Sequence, residues 1–226
     1  RLRDYRNGML GGSTKGKISY LTQLLTRPGW LLDIGILGKP HSLGNLKHKV
    51  ESASDLDRYK AFVESQFDPS ATWKDIAWLR NNWSGNIIIK GIMDADDAKA
   101  AVDAGADGII VSNHGGRQLD GVSSTIDKLP SIANSVGQHT KVLLDGGIHN
   151  GVDVVKAIAL GADSVLIGRS WVYAMAAQGE AGVNKLLALY QQEIAATMGL
   201  MGVSRIEALN SDVIERFNQP LNNLLS

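Results

Sequence analysis

The chain has 226 residues, 44% of them hydrophobic, with 23 basic and 23 acidic side chains; that is enough apolar material for one sizeable core. It has no cysteine, which excludes disulfides and thiolate metal sites, and it lacks a run of about 18 apolar residues, which excludes a membrane-spanning helix. Charge is unevenly spread: residues 1–49 carry nine Lys or Arg against Asp4 and Asp33, leaving 14 basic and 21 acidic residues elsewhere, so the first fifth suits an anionic surface.

The opening Arg1-Leu2-Arg3-Asp4 has neither Met nor an apolar leader and reads as the interior of a longer protein. Residues 8–16 are glycine-rich and loop-like. Ile18, Leu21, Leu24 and Leu25 then fall at helical spacing beside Lys15, Lys17 and Arg27, and Pro28-Gly29 breaks the run before the apolar stretch Trp30 to Gly38. A basic amphipathic segment with Trp beside Leu can lie in a membrane interface; packing of the same leucines on their own domain or on a partner subunit is the alternative. Helices are expected from Asp55 to Phe67 and again from Thr72. Asp75 serves as capping-box partner of Thr72, and Trp73, Ile76 and Ala77 form the buried face. So long a stretch before the first clear strand is usually functional.

From Asn86 the rhythm is regular. Ile87 to Lys90 reads as a strand. Asp94 caps a helix with Asp97 in its first turn, and Gly105 ends it. Asp107 to Ser112 is the second strand, and Ile126 to Val136 a helix whose Pro130 places its start nearer Leu129. Lys141 to Asp145 is the third strand, followed by a helix from Gly151 to Leu160. Ser164 to Gly168 is the fourth strand, followed by a helix from about Ser170. Val183, Leu186, Leu187, Tyr190, Ile194 and Met198 mark an amphipathic helix over 183–200, and a mostly helical tail follows. Strand–helix alternation without hairpin signals means a parallel sheet. The expected class is α/β: the C-terminal half of a (β/α)8 barrel with a long inserted βα loop. The expected regions are 1–82 (loop region), 83–200 (four βα units) and 201–226 (tail).

The informative polar residues stand at strand ends, which a barrel gathers into one mouth. Ser112-Asn113-His114-Gly115-Gly116-Arg117-Gln118 follows the second strand. An imidazole exchanges protons near neutral pH, and three residues on a guanidinium forks onto a carboxylate. His114 is thus a candidate base and Arg117 a candidate clamp for a small organic acid; a solvated turn is the bland alternative. Asp145-Gly146-Gly147 and Gly168-Arg169 open the last two loops, where barrels often hold phosphate. Glycine amides and a helix N-terminus favour an anion, leaving Asp145 for a ribityl or sugar hydroxyl. Lys90 suits a fixed cation beside a group that becomes negative, such as a reduced flavin. A cap for Asp145, a surface pair for Arg169 and a snorkelling stem for Lys90 are the structural alternatives.

Ile88 to Gly91, Val111 to Asp120, Leu144 to Gly147 and Ala159 to Arg169 closely resemble the FMN-dependent α-hydroxy-acid dehydrogenases and oxidases. The resemblance implies that His114 is the base toward a 2-hydroxy acid and that Arg117 binds its carboxylate. It implies too that Lys90 stabilises reduced FMN, that Ser112 lines the isoalloxazine, and that Asp145, Gly146, Gly147, Gly168 and Arg169 hold the ribityl phosphate. Arg1 becomes a second carboxylate contact. Residues 8–80, with Pro28-Gly29-Trp30, Pro40 to Asn45 and Phe67 to Ser70, look most like the bacterial membrane-associated L-lactate dehydrogenases. That likeness implies electrons passed to a quinone or other respiratory acceptor and docking through residues 15–37 on the cytoplasmic side of the inner membrane. An oxygen-using oxidase or mandelate dehydrogenase, and an inactive fragment binding a phosphorylated ligand or a partner, are the alternatives. A homo-oligomer is expected of the full-length protein; nucleic-acid binding and metal are not expected. One departure is His149, where the family usually has Arg near the phosphate; imidazole is a weaker, pH-dependent cation. The other is the absence of the first four strands, which should leave an apolar strand edge exposed and a half that does not catalyse alone.

Overall fold

The computed structural model describes residues 18, 21–22, 25–38 and 56–215. The chain forms two compact units, Arg1–Ala71 and Thr72–Ser226. In the first, a single turn of helix at Pro28–Trp30 continues as a π-helix over Leu31–Ile36, and Leu56–Ser65 is an α-helix (α1). Ile18, Leu21, Leu25, Trp30, Leu32, Ile36 and Leu37 are all exposed.

The second unit opens with α2, Trp73–Asn82. The Thr72 backbone N–H donates to Asp75 at 2.7 Å, and both halves of the capping box are present. Ile76 and Ala77 are half-buried, but Trp73 is exposed, because α2 touches its unit mainly through α3. The rest alternates: β1 Ile88–Ile92, α3 Ala95–Asp103, β2 Gly108–Val111, α4 Thr125–Val136, β3 Lys141–Leu144, α5 Gly151–Ala159, β4 Ser164–Val165 and α6 Arg169–Leu200. All strand pairings are parallel and the sheet order is β1-β2-β3-β4. Sequential order without reversal is that of a βα barrel rather than of a doubly wound sheet. The outer edges of β1 and β4 meet no strand among the described residues.

The helices form because each has an apolar face and a local start signal. Asp94 accepts the Asp96 N–H at the start of α3, and Asn150 accepts the Asp153 N–H at the start of α5. Their inner faces and the sheet enclose one core in which Ala98, Ala101, Ile109, Leu129, Ile132, Val142 and Leu144 are fully buried. Burial explains why α4 begins at Thr125 and runs through Pro130. The ring forfeits one helical bond, whereas Leu129, Ile132 and Val136 are each anchored inside. One expectation was too long: β4 is a two-residue ladder, and Gly168 stands just before the next helix. Among the described residues of the tail, Ile206–Ala208 and Ser211–Val213 are single turns, with Leu209 packed on α5 and α6 residues; residues 216–226 lie outside the described set. α6 is broken at Gln178 and Gly179. Beyond the break Tyr190 and Met198 are buried, but Leu187 is exposed.

Away from the strand tips, Arg80 joins α2 to the start of β2. It donates to the Asp107 carboxylate at 2.8 Å and to the Gly85 carbonyl at 2.7 Å, and Asp107 also accepts the Ile87 N–H at 2.8 Å. The Ile87 bond, aided by Arg80, holds the Asp107 carboxyl below its ordinary pKa. A carboxylate depressed by folding contributes stability that is present above about pH 4 and lost as pH falls further. Asp107→Asn should therefore lower the melting temperature at neutral pH and narrow its drop toward about pH 3. An unchanged acid profile in thermal melts would refute that role.

Candidate active site

The four strand tips are tied to one another by side chains. Lys90 lies within β1, two residues before its end, and the ladder shifts register between Lys90 and Ile92. Its ammonium contacts the Asp145 carboxylate beyond β3. Partial burial lowers the lysine's pKa, while a carboxylate in contact favours the charged form of an ammonium. The other Asp145 oxygen, Oδ1, is buried and has no partner among the described residues, which leaves it free to accept from a donor.

After β2, Ser112 is buried and its Oγ accepts the His114 N–H at 3.1 Å. That bond helps hold His114 at φ 56°, a region that histidine enters more readily than most residues. The His114 side chain is exposed at the rim, as is Arg117. The Asn113 amide accepts the Gly116 N–H at 3.2 Å and donates to the Ser123 carbonyl at 3.2 Å. Arg169, the first residue of α6, donates to the Gly115 carbonyl at 3.3 Å. The loop that carries His114 and the last loop therefore stand on one rim.

A cavity of about 430 Å³ lies among these loops, lined in part by Asn113, Gly116, Thr125, Gly147, Lys156 and Arg169. Gly146 and Gly147 have φ 86° and 83°. A Cβ built on Gly147 or Gly168 would meet nothing within 4 Å, so both backbones open onto space. Two cations and exposed glycine backbone supply donors suited to a phosphate monoester, and the Asp145 carboxylate oxygen supplies an acceptor suited to a polyol hydroxyl. Among the described residues no group of His, Asp and Glu could hold a metal ion.

Of the expected site residues, Gly146, Gly147 and Arg169 line the cavity. Lys90 meets Asp145 at its side, and Ser112, His114 and Arg117 belong to the adjoining loop. His149 is exposed, and its backbone N–H donates to Asp153 at 2.9 Å; the cation lining the cavity from α5 is instead Lys156. Arg1 lies outside the described residues. Asn113, Thr125, Asp153 and Lys156 are additional lining residues. Asn113 could have been found inside its motif; Thr125 carries no sequence signal beyond a helix-start hydroxyl.

A family model described as FMN-dependent dehydrogenase matches residues 1–216. An L-lactate dehydrogenase of Vibrio cholerae is 50% identical over 212 residues, covering 94% of this chain and 56% of the relative. One from Pseudomonas entomophila is 50% identical over 216 residues, covering 96% and 56%. A mandelate oxidase structure with (S)-4-hydroxymandelic acid is 47% identical with TM-score 0.60, over 62% of this chain and 39% of that one. A mutant mandelate oxidase with a monooxide FMN adduct gives 47% and 0.61, over 64% and 46%. The chain spans about half the length of the curated relatives it matches.

Proposed function

Because this chain belongs to the FMN-dependent dehydrogenase family, we propose that its protein oxidises an L-2-hydroxy acid, L-lactate foremost, to the 2-oxo acid. The observation that carries this is the Arg169–Gly115 bond, which puts the candidate base and the candidate phosphate grip on one rim. His114 takes the substrate's hydroxyl proton. Arg117 grips the carboxylate, fixing the hydroxyl carbon for transfer. FMN supplies the acceptor of the hydride equivalent. Lys90 holds positive charge where negative charge develops, and Ser112 keeps the base loop in shape beside the ring. Asp145 Oδ1 receives a ribityl hydroxyl, and Gly146, Gly147, Gly168 and Arg169 receive the phosphate, with His149 at its margin. The test is anaerobic dye reduction by the full-length flavoprotein with L-lactate and with mandelate; kcat/KM higher for mandelate would reassign the substrate, and no reduction by either would end the reading.

The physiological acceptor in this reading is a respiratory quinone. Support comes from the exposed apolar row Ile18, Leu21, Leu25, Trp30 and Leu37 in a basic segment, which suits peripheral docking on the cytoplasmic face of a bacterial inner membrane. Replacing Leu25, Trp30 and Leu37 by Ser should reduce binding to anionic liposomes by at least about tenfold, given roughly 1.5–3 kcal/mol per buried side chain. Dye reduction should persist; unchanged flotation of the liposome complex would count against docking here. The mandelate oxidase neighbours favour oxygen as the second reading, which oxygen uptake against quinone reduction separates.

A further inference from the structure

Ser112, Thr125 and Thr140 are buried polar side chains. A buried hydroxyl needs a partner, and each has one. Ser112 Oγ accepts from the His114 backbone, Thr140 Oγ1 donates to the Ala106 carbonyl, and Thr125 Oγ1 donates to the Gly146 carbonyl at 3.1 Å. The third bond spans 21 residues and joins the first residue of α4 to the glycine pair after β3. Thr125 is 2% exposed and locked by the core residues of its own helix, so its hydroxyl is a fixed point.

A trans peptide is planar, with its C=O and the next N–H on opposite sides. Holding the Gly146 carbonyl therefore turns the Gly147 N–H the other way, and this N–H has no acceptor among the described residues. Gly147 lines the cavity together with Arg169. On the other side Gly146 is wedged: a Cβ there would lie 3.1 Å from Asn113 Oδ1 and 3.3 Å from Thr125 Oγ1.

We propose that Thr125 is a positioning residue for phosphate recognition: its hydroxyl sets the Gly146–Gly147 peptide so that the Gly147 N–H donates to the flavin phosphate. This rests on the FMN reading above. Riboflavin has the ring and ribityl chain without the phosphate, so it separates this role from a general structural one.

The test uses the full-length apoprotein, titrated with FMN and with riboflavin by flavin-fluorescence quenching, alongside its melting temperature. The wild type should prefer FMN. Thr125→Val should weaken FMN by about 10- to 100-fold, as for one lost hydrogen bond to a charged group. It should leave riboflavin within about threefold, and Thr125→Ser should restore FMN binding. Equal weakening of both ligands, unchanged FMN binding in Thr125→Val, or failure of Thr125→Ser to rescue would each overturn the proposal. A wild type that does not distinguish the two ligands would overturn the phosphate site itself. If Thr125→Val does not fold, Thr125→Ala takes its place; if neither folds, Thr125 is a structural residue and the proposal falls.

Discussion

Replacing His114 by Gln should leave FMN bound and reduce turnover of L-lactate by roughly 10²–10⁴-fold, the usual contribution of a general base. The separation is expected because the imidazole is exposed on the rim and does not line the cavity that suits the phosphate. What the fold supplies to His114 is backbone placement: φ 56°, with the N–H held by the buried Ser112 hydroxyl. Glutamine keeps that N–H and a polar side chain but cannot take up a proton. It is less at ease than histidine at positive φ, so His114→Asn, which tolerates that region better, is the control for loop distortion. The measurement is anaerobic flavin reduction by stopped flow, with bound flavin counted from its absorbance. Reduction within about tenfold of the wild type in both variants, too small a loss for a removed base, would take His114 out of the role.

The sequence was most legible where one local rule decides the structure. The runs at 107–111 and 141–144 are apolar, short and bounded by polar or glycine signals, and both are strands. Asp94 stands at a helix start and caps it. Legibility failed where tertiary packing overrode the local rule. Pro130 argued for a late start to α4, but Leu129 and Ile132 are fully buried, and their burial outweighs one lost helical bond. Trp73 has the right spacing to be buried, yet little packs against that face of α2. Within the site, the motif around His114 announced itself. The Thr125–Gly146 bond did not, because its partners are 21 residues apart and a threonine at a helix start looks like a cap. Nor did Lys156, which one helical residue among many had no means of flagging. Lys90 and Asp145 were legible singly, but their contact across 55 residues depends on sheet order.

At the glycine pair after β3, Gly147→Ala should weaken flavin binding at a smaller cost in stability than Gly146→Ala. Gly146 and Gly147 both sit at positive φ, so alanine at either costs about 1–2 kcal/mol in backbone strain. At Gly146 the new methyl must also push against Asn113 and Thr125, at 3.1 and 3.3 Å. Neither can retreat freely: Asn113 is bonded to Gly116 and Ser123, and Thr125 is buried. Gly146→Ala should therefore lose roughly 2–5 kcal/mol in all, strain plus overpacking. At Gly147 the methyl meets no protein atom within 4 Å, and only the strain remains. That same open space is where a phosphate would approach the backbone. Gly147→Ala should keep the higher melting temperature of the two variants and still weaken FMN by about tenfold or more, since close backbone approach is what the glycine permits. Riboflavin should be affected far less. Urea unfolding of the apoproteins gives the stability order, and flavin titration of Gly147→Ala gives the loss of FMN. If Gly147→Ala binds FMN like the wild type, the open face of that residue is not the phosphate cradle, and the grip passes to Gly168 and Arg169.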